Sequence, residues 1–151
     1  MTTIAANREL MASDSRTTVE SPTINRTYNS GKITERNGDI IGVAGDNDLI
    51  EKFLKWYGSK KKRPQFPTNA NFEALILTKT GELVYYDDTL SRDTLKHDYY
   101  AIGSGGDAAR GAMAMGATPI KAVEIACTVD LYSGLPVQVI HRFINRFAPI
   151  E

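Results

Sequence analysis

The sequence predicts an α+β fold, with antiparallel β-sheets flanked by helices, and three observations point to it. Extended segments come in hairpin-like pairs, a single amphipathic helix interrupts them near the middle, and two adjacent helices precede a last strand. The regular strand–helix–strand alternation of a parallel sheet is missing, which leaves antiparallel sheets with helices outside. The 151 residues, 42% hydrophobic and 24% charged, suit one globular domain over 1–151 with a real core.

Thr2-Thr3-Ile4-Ala5-Ala6 is short and partly β-branched, and reads as a strand buried from its first residue. After a turn at Asn7-Arg8-Glu9, the stretch Leu10 to Val19 returns antiparallel to it. A looser polar stretch follows, through Pro22 and Asn25 to Ser30-Gly31. Lys32-Ile33 resumes an extended segment, and Asn37-Gly38 is a two-residue hairpin signal leading into Asp39 to Gly45. Asp46 or Asn47 caps a helix in which Leu49, Ile50, Phe53, Leu54 and Tyr57 recur at helical spacing, ending near Gly58.

Lys60 to Phe66-Pro67 reads as a solvated loop, because two prolines and four adjacent positive charges oppose regular structure. Phe72 to Thr78 and Glu82 to Tyr86 flank Lys79-Thr80-Gly81 as another hairpin, and Tyr99 to Gly103 is a further strand. Asp107 to Met115, rich in alanine and stopped by Gly116, predicts a second helix, with Met113 and Met115 packing at a helix contact. Thr118-Pro119 supplies an N-cap and a first-turn proline for a third helix ending near Asp130, and Val137 to Phe143 makes a last strand.

Bulk properties exclude several functions. Lys plus Arg and Asp plus Glu both total 18, so no excess charge draws the chain to nucleic acid or an acidic membrane. The single Cys127 rules out an intrachain disulfide and suits a reducing compartment. No run reaches the roughly 18 apolar residues of a membrane span, and charges interrupt the N-terminal segment early, so a cytoplasmic location is expected. His97 and His141 lack metal-ligand spacing and read as surface or packing residues. Gly103-Ser104-Gly105-Gly106 lies between a strand and a helix, where its amides can hold an anion, but it matches neither nucleotide fingerprint.

Taken singly, a threonine at position 2, Asp14, Lys32 and Ser104 are unremarkable; their order is more specific. Met1-Thr2-Thr3-Ile4-Ala5, Met11 to Thr18, Lys32-Ile33, Gly42 to Asp46, Tyr100 to Ala109, Ala122 to Ala126 and Asp130 to Ser133 together span nearly the whole chain. In these stretches the sequence resembles the proteasome β-subunit and HslV family of threonine peptidases. The resemblance implies the four-layer αββα sandwich of N-terminal-nucleophile (Ntn) hydrolases.

The resemblance also implies roles. Thr2 matches the nucleophile once Met1 is removed, Asp14 and Lys32 the charged pair beside it, and Gly45 the glycine whose amide forms the oxyanion hole. Ser104 matches the serine of the glycine loop, and Asp130 and Ser133 the acid and hydroxyl near the threonine. Positions corresponding to Cys127, Asp130 and Ser133 supply oxygens, largely backbone carbonyls, to a structural sodium ion; the chemistry itself requires no cofactor.

An α-amine with a reference pKa of about 7.7 to 8 is partly neutral near pH 7 and can take the threonine proton, whereas a lysine near 10.4 rarely can. Expected partners are further copies of the chain in stacked rings, an HslU-like ATPase and unfolded polypeptide, with no nucleic acid and no membrane. Other readings are a catalytically silent structural or assembly subunit of the same fold and an Ntn amidase acting on a small molecule. Relative to the family, the first hairpin is shorter, the loop from Asp14 to Lys32 is longer, and the basic loop after Gly58 stands where relatives have a second helix.

Overall fold

The computed structural model describes residues 2–20, 25–29 and 31–142. Chain order among them runs β1 (Thr3–Asn7), β2 (Leu10–Ser13), β3 (Arg16–Glu20), β4 (Asn25–Asn29), β5 (Ile33–Arg36), β6 (Asp39–Gly45) and α1 (Asn47–Trp56). It continues with β7 (Phe72–Leu77), β8 (Leu83–Tyr86), β9 (Asp93–Leu95), β10 (Tyr99–Gly103), α2 (Gly106–Ala114), α3 (Pro119–Val129) and β11 (Gln138–His141). Two larger sheets result, with strand orders β10-β1-β2-β11 and β5-β6-β7-β8-β9; β3 and β4 form a separate ribbon. All pairings are antiparallel.

Side-chain alternation along each strand creates the layers. Ile4, Ala6 and Met11 of the first sheet meet Ile40, Ala44, Leu75, Leu77 and Leu83 of the second, forming a core between the sheets. The opposite face of the first sheet is lined by Ala5, Ala12 and Ala101, whose small side chains bring Ala109 and Met113 of α2 and Ala122, Val123 and Ala126 of α3 close. The opposite face of the second sheet, through Ile41, Val43, Ala74, Ile76 and Val84, is covered by Leu49 and Phe53 of α1. The layers are therefore helix, sheet, sheet, helix pair: the αββα sandwich.

Most elements follow the sequence pattern, including the Asn37-Gly38 hairpin, where both residues take positive φ, and α3 with Thr118 capping Lys121 N–H. Four expectations need correction. Leu10 to Val19 is not one strand: the backbone breaks at Asp14-Ser15, where Ser15 N–H bonds to the Gly134 carbonyl instead of continuing the ladder, and Arg16–Glu20 pairs with Asn25–Asn29. The polar stretch before Ser30 thus contains a strand. Asp93–Leu95 adds an edge strand that its polar, exposed composition concealed. Met113 packs in the core as expected, but Met115 lies one residue past α2 and is 89% exposed. The last strand runs over Gln138–His141; Phe143 lies outside the described residues.

Phe53 is the anchor of α1, fully buried with its ring against Trp56, Tyr57, Phe72 and Tyr86 at centroid distances of 5.2 to 6.0 Å. Phe53→Ala should cost about 3 to 5 kcal/mol of unfolding free energy, read from the midpoint and slope of a urea titration.

Candidate active site

A cleft of about 520 Å³ opens at one end of the sandwich and brings together residues from both sheets. Thr2, Lys32, Gly45 and Ser104 line it, joined by Asp46 and Glu73. Thr2 precedes β1, whose Thr3 pairs with Gly103 of β10, so strand pairing holds the chain from the residue after the threonine. Ser104 begins the turn into α2, and Gly45 ends β6.

Two glycines are required by close approach. Gly103 has φ +91° and a Cβ there would lie 1.9 Å from the Thr2 carbonyl oxygen. Gly45 has φ +130° and a Cβ would lie 2.0 Å from the Asn71 carbonyl oxygen. Any side chain at either position would force the backbone apart.

Asp14 lies behind the cleft wall, fully buried, and its two carboxylate oxygens take four hydrogen bonds. One oxygen accepts from Thr3 N–H at 3.0 Å and Lys32 Nζ at 2.9 Å. The other accepts from Arg16 N–H at 3.1 Å and Gly134 N–H at 3.0 Å. Lys32 also donates to the Arg16 carbonyl. Burial lowers the Lys32 pKa below its ordinary 10.5, against the opposing hydrogen bond and charge of Asp14.

A second network reaches Thr2 from the other side. Ser104 and Ser133 each donate to one Asp130 carboxylate oxygen at 2.6 Å. Since the Ser133 proton is used there, Thr3 Oγ1 donates to Ser133 Oγ at 2.7 Å. Burial would raise the Asp130 pKa, but hydrogen bonds from Ser104, Ser133 and Tyr132 N–H leave it lowered. Burial raises that of the half-buried Cys127 thiol.

The side-chain oxygens of Asp130 and Ser133 are thus already engaged, with Ser104, Thr3 and Tyr132 N–H as well as with each other. Together with Cys127 they offer a cation chiefly their backbone carbonyls, and the Asp130 carbonyl already accepts Ser133 N–H at 3.3 Å. Side chains so engaged do not fit a metal gripped by side chains. Among the described residues no three His, Cys, Asp or Glu side chains cluster as metal ligands.

Comparison with solved structures bears on the fold. The chain superimposes on Thiobacillus denitrificans BPH with a TM-score of 0.66 at 17% identity, covering 95% of this chain and 99% of that one. The eukaryotic HslV of Trypanosoma brucei matches with a TM-score of 0.60 at 20% identity, covering 92% and 99% of the two chains. The chain has the proteasome-like Ntn fold. The same fold is shared by the Gly-1 mutant of Anbu from Hyphomicrobium sp. strain MC1, with a TM-score of 0.68 at 12% identity over 93% of this chain and 81% of that one. No protein-family model and no curated protein sequence matches the chain.

Within this fold, five of the residues singled out in the sequence, Thr2, Lys32, Asp14, Gly45 and Ser104, converge on the cleft or the wall behind it. Asp130 and Ser133 join them through Ser104 and Thr3. Sequence reasoning missed Thr3, whose hydroxyl completes the serine network, and Glu73, whose carboxylate lines the cleft from β7. Glu73 carries a readable signal: it is the one charge in the strand Phe-Glu-Ala-Leu-Ile-Leu.

Removing the carboxylate of a buried ion pair leaves its partner's charge uncompensated by that group. Asp14→Ala also deprives three backbone N–H groups of their acceptor. It should destabilise the protein by about 3 kcal/mol or more, seen as a lower denaturation midpoint.

Proposed function

We propose that the chain is the subunit of a threonine-type endopeptidase, acting from Thr2 once Met1, which lies outside the described residues, has been removed. The observation that carries this is the cleft in which Thr2 faces Lys32, Gly45 and Ser104, with the Lys32–Asp14 ion pair buried in its wall. The Asp14 network serves stability in either case; what favours an enzyme over a silent structural subunit is that Lys32 and Thr2 line one open cleft.

The steps follow from the groups present. The neutral α-amine of Thr2 takes the proton from Thr2 Oγ1, and the oxygen attacks the substrate carbonyl carbon. The Lys32 charge lowers the pKa of both neighbouring groups, favouring the reactive forms. The developing oxyanion is met by the Gly45 amide, a kind of contact worth roughly 3 kcal/mol elsewhere. The leaving amine takes the proton, and water then hydrolyses the ester on Thr2, restoring the hydroxyl. Ser104 and Asp130 hold the loop beside the Thr2 carbonyl and the amine.

Val129, Leu131, Tyr132 and Leu135 stand exposed close together in sequence next to this network. Apolar exposure of that kind supports association with further copies, in a ring supplied with unfolded chain by an HslU-like ATPase. Sedimentation is the check: a strictly monomeric protein overturns the enclosed assembly. No helix among the described residues is long and apolar enough to cross a membrane.

Two measurements test the chemistry. Thiobacillus BPH has been solved in complex with epoxomicin. Incubation of this protein, with Met1 absent by intact mass, should add one inhibitor at Thr2, and Thr2→Ala should abolish both labelling and peptide hydrolysis. A wild-type protein lacking Met1 that takes up no label sinks the proposal.

The pH profile should be bell-shaped. Activity rises with pH as the α-amine loses its proton, in the region of about 8 or below. It falls again on the alkaline side as Lys32 loses its charge, earlier than an ordinary lysine because burial lowers its pKa. A profile still rising at pH 10.5, the ordinary lysine value, would remove Lys32 from the mechanism.

A further inference from the structure

Glu73 is one of two charged residues lining the cleft, with Asp46, whose role the chemistry above leaves unassigned. It sits on β7 opposite Ala44 of β6, and by strand alternation it shares the inward face with Leu75 and Leu77. A carboxylate on that face stands between the sheets, at the end where the core opens into the cleft. Desolvating a carboxylate is costly, so such a position calls for hydrogen bonds.

Both oxygens are engaged. Oε2 accepts Gly103 N–H at 3.1 Å and Oε1 accepts the Tyr85 hydroxyl at 2.8 Å. The first bond crosses from one sheet to the other. It ends on the residue that pairs with Thr3, packs its Cα against the Thr2 carbonyl and precedes Ser104. The second bond comes from β8, next to β7, and fixes the carboxylate's direction. The Tyr85 ring lies 5.8 Å from that of Tyr100 on β10, so the donor is itself seated against the first sheet. Burial and the neighbouring Glu73 raise the Tyr85 pKa, which keeps its proton available for donation.

We infer that Glu73, oriented by Tyr85, is a positioning residue that holds the end of β10 against Thr2 and so sets the distance between the nucleophile and the parts of the cleft supplied by the second sheet. It touches neither substrate nor reacting atoms. It acts through Gly103, because Lys32 and Gly45 belong to the β5–β6 side whereas Thr2 leads into β1. Glu73 ties these two sides together at their open end. The inference rests on the peptidase assignment above.

Glu73→Ala, Glu73→Gln and Tyr85→Phe, each in the full chain with Met1 removed, separate this role from others. A glutamine keeps an oxygen for Gly103 N–H and can donate to Tyr85, so it preserves the geometry without the charge. Peptide hydrolysis by Glu73→Ala should show kcat lowered about 10-fold or more with KM changed less than about 2-fold, since misplacement of the reacting groups reports in kcat. Glu73→Gln should recover kcat to within about 3-fold of wild type, and Tyr85→Phe should fall between. Hydrogen exchange of the Gly103 amide should accelerate in Glu73→Ala and not in Glu73→Gln.

Unchanged kcat in both Glu73→Ala and Tyr85→Phe, in an active wild-type background, overturns the inference alone. A Glu73→Gln variant as impaired as alanine, with the loss confined to substrates carrying Lys or Arg, would instead make the carboxylate a specificity charge and also overturn it. A wild type without Met1 that cleaves nothing overturns the peptidase assignment itself.

Discussion

The site depends on one buried carboxylate. Asp14 gathers the N–H groups of Thr3, Arg16 and Gly134 together with the Lys32 ammonium, four donors from four separate stretches of chain. Such a group is stable away from water only because every strong acceptor direction is used. The same bonds explain why the second strand stops at Ser13: the chain must turn there for Arg16 N–H and Thr3 N–H to reach one side chain. The local geometry that ends the hairpin therefore also holds the lysine in the cleft that Thr2 lines.

Around that centre the two sheets contribute different functions. The first supplies Thr2 and the glycine loop with Ser104, and the small residues Ala5, Ala12 and Ala101 let α2 and α3 pack tightly beneath it. The second brings Gly45, and the β5 end carries Lys32. Asp130 and Ser133, following α3, close the arrangement by bonding Ser104 and Thr3. The polar residues near the threonine are thus bound first to one another, which fixes their side chains in place.

Much of this was legible in the sequence, for identifiable reasons. The Asn37-Gly38 turn discloses β5 and β6, and helical spacing discloses α1. The order of Thr2, Asp14, Lys32, Gly45 and Ser104 was informative through family resemblance, since no local property of Asp14 says that Lys32 will reach it. The strand β4 and its pairing with β3 were missed because these polar residues lack a one-sided apolar pattern, and β9 because three edge residues, two of them exposed, carry almost no signal. Glu73 was missed although it is the one charge in its strand, because an acid next to the strand's first residue also reads as an edge position.

The apolar layer between the sheets, from Ile4 and Met11 across to Leu75 and Leu77, has a mechanical consequence. Close-packed side chains are nearly incompressible, so the separation of the sheets is set by the size of those residues. The cleft is then a jaw without a hinge, its gape built in during folding. Its width follows from residues buried away from Thr2, so a change of volume in that layer would alter the opening without touching a residue that lines it.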